Sequence, residues 1–356
     1  MAAFLAACSS EPHYVIKGNI EGSDSLTFWL LKRGTGKMDT LNTAVSRKGS
    51  FKMEGVVEYP DQVYLIAENT RNRAVLYIEN SEIEITGKLD SLENANISGS
   101  KTQDEYKSFV EMDRPLSDNY QALVSSYNGA RTANDTAQMR KIRDEALTIE
   151  EDMKNLQKEF IRNNPSSYFT PSLIRSLSYE MSGEEIENAV AALDTNVAKM
   201  PVVLELKTRA AALKAVSVGQ KAPDFTLNDV NGNPVALSSK IGSKLLLVDF
   251  WAAWCSPCRQ ENPNVVKVFN EFSKKGFDVF GVSLDQTKDA WVKAIADDKL
   301  AWTHVSDLQY WNSAAAKLYA VNSIPANFLL DETGTIIARN LRGDDLYNKV
   351  KEILGN

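Results

Sequence analysis

Short runs of alternating apolar and polar residues dominate the first hundred positions. Tyr14-Val15-Ile16-Lys17-Gly18, residues 26–31, Val63-Tyr64-Leu65-Ile66 and Ile83-Glu84-Ile85-Thr86 carry the β-branched and aromatic content expected of strands. Turn clusters such as Glu21-Gly22-Ser23, Lys48-Gly49-Ser50 and Glu79-Asn80-Ser81 separate them. Strands at this spacing predict a small antiparallel sandwich or barrel over residues 13–102. The period then turns helical. Residues 135–163 form a long charged amphipathic stretch closed by Asn164-Pro165, a helix starts at Ser182-Gly183-Glu184-Glu185 and runs to Leu193, and Pro201 opens another to Leu213. Residues 103–217 therefore read as an all-helical connector, its charge alternation over 140–158 a solvated face.

From Val218 to the end the two periods alternate. Apolar runs at 245–250, 277–283, 326–330 and 335–339 predict strands, and helices are expected after Cys255, Thr287, Trp311 and Asp344. Asp331-Glu332-Thr333-Gly334 has the composition of a hairpin turn. The third unit, 218–356, is expected to be α/β: a mixed sheet covered on both faces.

A chain of 356 residues is long enough for two or three such units. Its net charge of −7 and lack of a basic cluster exclude nucleic acid as an expected partner. No apolar run approaches the roughly 18 residues that span a bilayer.

The candidate chemistry is concentrated in Trp254-Cys255-Ser256-Pro257-Cys258, directly behind the apolar run 245–251. Two cysteines spaced C-x-x-C at the start of a helix can close into a disulfide, and a buried strand feeding that helix presents the first sulfur to partners. Cys255 at a helix N-terminus would face unpaired N–H groups and the positive end of the dipole, which favour the thiolate. Pro257 suits a first turn because it lacks an N–H. Cys255, nearer the surface, is expected to attack a partner disulfide and Cys258, one turn in, to resolve the mixed disulfide. Zinc is not expected: there is no second C-x-x-C and only two histidines, His13 and His304, the latter read as a sheet residue. The expected cofactor set is empty, the redox-active Cys255–Cys258 disulfide serving instead. Two carboxylates stand near this motif. Asp249 interrupts an apolar strand, where an ionised carboxylate is costly to bury. Glu261 follows Cys258 by three residues and so shares its helix face.

The first eight residues end in Leu5-Ala6-Ala7-Cys8, followed by Ser9-Ser10-Glu11. This segment resembles the lipobox of bacterial lipoproteins, in which the cysteine bears the lipid, although the positive n-region and most of the apolar h-region are missing. Residues 1–12 are accordingly expected to be a signal remnant and tether, lipidated on Cys8.

Val248-Asp249-Phe250-Trp251-Ala252, Trp254-Cys255, Pro257-Cys258 and the downstream Ile324-Pro325 resemble a thioredoxin fold. Ala222-Pro223-Asp224-Phe225, Arg259-Gln260-Glu261-Asn262-Pro263 and the inserted stretch 285–319 narrow this to the TlpA/ResA-like, membrane-tethered thiol–disulfide oxidoreductases of the bacterial envelope. The resemblance covers about 218–356; the β unit and connector resemble the region often found ahead of such modules and carry no assigned chemistry. It implies that Asp249 is a buried proton acceptor for Cys258, that Glu261 tunes cysteine acidity, and that Pro325 is the cis-proline facing the disulfide. Ile324 would then offer backbone groups to an extended client segment. Trp254 at the rim, Ser256, Pro257, Ile324 and Pro325 are thus the expected client contacts, and Trp251 a core residue. The implied partners are client protein disulfides and a membrane thiol electron donor, with a periplasm-facing, lipid-anchored location and cytochrome c maturation as one implied setting.

A reducing direction is expected. Ser256-Pro257 places no cation or imidazole between the cysteines, and a strongly stabilised thiolate is what makes a strong oxidant. An oxidase or isomerase on the same scaffold is the alternative, and a partner-binding scaffold lipoprotein with a secondary redox module is another. Ala222-Pro223-Asp224-Phe225 also opens peroxiredoxins, but Ala252 occupies the place of the hydroxyl residue their peroxidatic pattern requires.

Overall fold

Strict in–out alternation along strand β1 (Tyr14–Glu21) buries Tyr14, Ile16, Gly18 and Ile20 and turns Lys17, Asn19 and Glu21 outward. The computed structural model describes residues 13–34 and 37–355, so the lipidation expected on Cys8 lies outside the described residues. Strands β2 (Thr27–Arg33), β3 (Met38–Val45), β4 (Ser50–Gly55), β5 (Asp61–Ala67), β6 (Arg73–Ile78), β7 (Glu82–Lys88) and β8 (Asn96–Ser98) complete two four-stranded sheets, ordered β4-β1-β7-β8 and β3-β2-β5-β6. Their inner faces meet in a core that includes Ile16, Ile20, Phe28, Leu30, Val63, Leu65 and Ile85. Gly18 is required there, because a Cβ would stand 2.1 Å from the Phe51 ring.

The unit is not wholly antiparallel. β1 pairs with β7 in parallel, Ile16 opposite Ile83 and Gly18 opposite Ile85. Alternation fixes which face of a strand is buried and is silent about which neighbour lies alongside, so this pairing had no sequence signal.

Helices α1 (Lys101–Thr132), α2 (Thr136–Asn163), α3 (Thr170–Leu177), α4 (Gly183–Ala191) and α5 (Pro201–Ala215) follow. Ser100 Oγ caps α1 by accepting from Gln103 N, and Asp135 caps α2 by accepting from Gln138 N. Ser182 and Glu185 form a reciprocal capping box at α4, which ends at Ala191 rather than Leu193. The helical stretch is not a body of its own. The chain divides into two compact units, one holding the residues up to 177 together with 189–204, the other holding 178–188 together with everything from 205. Within the first, Tyr77, Phe109, Phe160, Phe169 and Leu173 pack together, so α1, α2 and α3 share a core with β6.

The second unit contains β9 (Thr226–Asp229), β10 (Pro234–Ala236), β11 (Leu245–Trp251), α6 (Ser256–Phe272), β12 (Phe277–Ser283), α7 (Lys288–Asp297), β13 (Thr303–Ser306), α8 (Ala314–Leu318), β14 (Ala326–Asp331), β15 (Ile336–Arg339) and α9 (Gly343–Leu354). Seven strands form one mixed sheet in the order β10-β9-β13-β12-β11-β14-β15, with β11 parallel to β12 and antiparallel to β14. Every residue of β11 is buried, which is why its sequence is a continuous apolar run broken only by Asp249. On one face Leu245 and Leu247 pack against Val265, Val268, Leu346 and Val350 of α6 and α9. On the other, Leu246, Val248 and Phe250 join Trp291, Ala315 and Tyr319. The β14–β15 hairpin turns on Asp331, whose Oδ1 accepts from Thr333 N and Thr335 N, with Gly334 at φ +77°. Among the described residues no helix is long and apolar enough to cross a membrane.

Candidate redox site

β11 delivers the chain to a tight loop, 252–254, after which Cys255 is the N-cap of α6. The loop is pinned from three sides. Ala253 N donates to both carboxylate oxygens of Asp285, each at 3.1 Å; Ala253 O accepts from Arg259 Nη1 at 3.3 Å; Trp254 Nε1 donates to Leu284 O at 3.3 Å. Arg259 in turn forks onto Asp298, Nε on Oδ2 and Nη2 on Oδ1, and Asn262 donates to the same carboxylate.

Cys255 and Cys258 are joined by a disulfide with their Cα atoms 5.3 Å apart. Cys258 N donates to Cys255 Sγ at 3.2 Å, so the first unpaired N–H groups of the helix are aimed at that sulfur. Ile324 O stands 3.6 Å from the same sulfur, and the Ile324–Pro325 peptide is cis. Cys255 is 4% exposed and Cys258 1%, so both sulfurs are well covered. The Ile324 carbonyl covers the Cys255 sulfur, and Trp254, Ser256 and Pro257 form the exposed rim. Trp251 is a core residue, as its place on β11 required.

Asp249 lies on the α6/α9 side of β11, opposite Gly281 of β12 and Asn327 of β14. Burial pushes its carboxyl up from 3.8 to about 7; the Arg342 charge pulls it down and the Glu261 charge pushes it further up. The Glu261 carboxylate is engaged by α9 and by its own helix. Its Oε1 accepts from Gly343 N at 2.7 Å and its Oε2 from Asn264 Nδ2 at 3.0 Å, so it caps α9 and acts on Asp249 through space. Arg342, beside that cap, donates to Leu341 O and to Pro325 O, tying the cis-proline loop to the start of α9. Asn327 completes the clamp by giving and taking a hydrogen bond with the backbone of Leu341.

Asp285, Arg342 and Asn327 were not singled out from the sequence. Asp285 had a usable signal, an acid just past the C-terminal end of a buried parallel strand, where α/β sheets place their sites. Arg342 had none, since its role depends on packing across the sheet. His304 is a sheet residue of β13. Burial drives its pKa down to about 3, so it is neutral, against Trp251 and Gly281.

Residues 218–339 match the AhpC/TSA family and residues 14–106 match a domain of unknown function, DUF4369. Thiol-disulfide oxidoreductase ResA of Geobacillus kaustophilus is 30% identical over 142 residues, which is 39% of this chain and 79% of that protein. The chain belongs to the ResA family of thiol-disulfide oxidoreductases. Thioredoxin-like protein YneN of Bacillus subtilis, at 36% identity over 34% of this chain and 69% of its own length, is a further relative of this ResA-type unit. The thioredoxin domain of a thiol-disulfide oxidoreductase from Bacteroides vulgatus is 41% identical, covering 39% of this chain and 98% of that domain with a TM-score of 0.37. The ResA-type region is thioredoxin-like and follows an all-β unit and helices, and the protein is an enzyme of the thiol-disulfide oxidoreductase class.

Proposed function

We propose that the protein reduces client protein disulfides in the bacterial cell envelope through Cys255 and Cys258. The observation that carries this reading is the placing of the Cys255–Cys258 bond at the N-terminus of α6 and beside the Ile324 carbonyl, in a unit whose strand β11 carries a buried carboxyl. In the reduced protein the Cys255 thiolate attacks one sulfur of a client disulfide. A mixed disulfide forms and the client's other sulfur leaves as a thiolate. The Cys258 thiol then gives its proton to Asp249 and attacks Cys255 Sγ, which releases the second client thiolate and closes the Cys255–Cys258 bond. Two electrons pass to the client, and the proton on Asp249 is available to it as the site opens. A carboxyl that titrates near 7 is suited to both taking and giving that proton at neutral pH.

Trp254, Ser256, Pro257, Ile324 and Pro325 are the proposed client contacts. No further cofactor is invoked; a membrane thiol donor would restore the dithiol, and a lipid on Cys8 would hold the protein at the membrane. The test is the reduction potential of the pair, from thiol trapping of the whole chain equilibrated in defined thiol buffers. A value near −250 mV or lower is expected of a reductase; about −120 to −180 mV would make it an oxidase or isomerase.

A further inference from the structure

Three aromatic rings cluster at the residue that precedes Cys255: Trp254 and Tyr310 are exposed, and Trp311 is half-buried against the core. Trp254, next to Cys255, is 45% exposed, and Tyr310 is 36% exposed. Trp254 lies 5.1 Å from Tyr310 and 5.9 Å from Trp311, whose rings are 5.8 Å apart, all tilted or edge-on. Apolar rings left in water gain nothing for folding, so what holds them there matters.

Hydrogen bonds hold them. Ser306 Oγ accepts from Leu308 N, and Asp307 accepts from Gln309 N and Ala314 N, fixing the segment 307–314 by polar contacts. Within it Leu308 and Tyr310 both have left-handed backbones, φ +56° and +55°. A bulky residue rarely adopts that conformation, and it persists where the surroundings over-determine it, commonly at ligand contacts. At Tyr310 it accompanies an outward-facing ring.

We infer that Tyr310 and Trp311, with Trp254, form a client-selecting platform that favours an extended segment bearing an aromatic side chain two positions from its disulfide cysteine. The inference rests on the redox reading of Cys255–Cys258. The platform adjoins that centre, because the exposed Trp254 immediately precedes Cys255 and its ring meets those of Tyr310 and Trp311. Ile324 O, 3.6 Å from Cys255 Sγ, offers an acceptor to a chain lying extended across the site. In such a chain, residues two apart point to the same side, so a ring at that spacing can meet the platform while the cysteine meets Cys255. Edge-to-face contacts with the exposed rings then distinguish an aromatic residue from an aliphatic one of similar area.

The experiment uses the full chain, reduced beforehand and freed of reductant. It is mixed with glutathione disulfide or with peptide disulfides carrying phenylalanine, leucine or alanine two positions from the cysteine. The wild type should reduce the phenylalanine peptide about fivefold faster than the leucine peptide, with alanine slowest. Tyr310→Ala and Trp311→Ala should erase most of that preference and leave the rate with glutathione disulfide unchanged, while Tyr310→Phe and Trp311→Phe retain it. Equal rates for phenylalanine and leucine peptides, or a preference that survives both alanine substitutions, would overturn the platform and leave the redox centre standing. Failure of the reduced wild type to act on any of the disulfides would remove the redox reading and the platform with it.

Discussion

Asp285 receives the backbone N–H of Ala253 with both carboxylate oxygens, two residues ahead of Cys255. Ser283 Oγ also donates to this carboxylate, and the residue is 1% exposed. Its carboxyl is raised by burial and drawn back by these bonds and by the Arg259 charge. Removing it leaves the half-buried N–H of Ala253 without this partner, which costs up to about 1–3 kcal/mol. Asp285→Ala should therefore lower the urea midpoint of the oxidised protein and slow exchange at Cys255. A variant with unchanged stability and rate would show that Arg259 and Leu284 hold the loop alone.

Asp249 makes stability depend on pH. Its folded value, about 7, lies above the ordinary 3.8, so the folded protein holds this proton more tightly than the unfolded chain. The contribution is complete below about pH 4 and is lost as pH rises through about 7. At about 1.4 kcal/mol per unit, the rise from 3.8 to about 7 amounts to about 4 kcal/mol. Asp249→Asn should flatten the urea midpoint of the oxidised form between pH 4 and 7 and exceed the wild type above pH 7, while slowing client reduction. Parallel midpoint curves for the two proteins would contradict this titration.

The same residue shows why part of the site was legible from sequence. Asp249 stood out because one acid in seven buried positions of β11 breaks a continuous apolar pattern, and Cys255–Cys258 because the helix begins between them. Both signals are local. Ser182 with Glu185, and Asp331 in its hairpin, were readable for the same reason. The parallel β1–β7 pairing, the cover over Cys255 and the Arg342 clamp depend on residues brought together from distant parts of the chain. Strand β3 was missed because none of its residues is buried, which leaves no alternation to read. The spacing of Glu261 from Cys258 gave no sign that its carboxylate is engaged by Gly343 N, which lies 82 positions on.

Arg342 and Glu261 act on Asp249 with opposite sign, so their variants should move its titration in opposite directions. Arg342→Met removes the cation and should raise the Asp249 midpoint above about 7. Glu261→Gln can still accept from Gly343 N but carries no charge, and should lower it. Arg342→Lys keeps the charge while losing the fork onto Pro325 O and Leu341 O, which separates electrostatics from positioning. The carboxyl stretch followed by infrared spectroscopy across pH 5–9, with Asp249→Asn as the blank, reads the midpoint directly. Shifts of the same sign in the methionine and glutamine variants would show that both act by loosening α9 rather than by charge.

The two cysteines should differ in kind. Cys255 Sγ receives the N–H of Cys258 at the head of α6 and is the sulfur beside Ile324 O, so its thiolate is the one the helix stabilises and the one a client can meet. Cys258 sits one turn in and is 1% exposed. Cys258→Ser should therefore accumulate a stable mixed disulfide with a client protein, visible as a shifted band on a non-reducing gel and released by dithiothreitol. Cys255→Ser should trap little, because its remaining thiol lacks the helix N–H and the Ile324 carbonyl that stand at Cys255 Sγ. The Cys258→Ser thiolate should also form at a pH below about 8.5, the value for a free cysteine, when followed by thiolate absorbance. If Cys255→Ser traps clients as efficiently as Cys258→Ser, the assignment of attacking and resolving sulfurs is reversed, and the proposed transfer of the Cys258 proton to Asp249 falls with it.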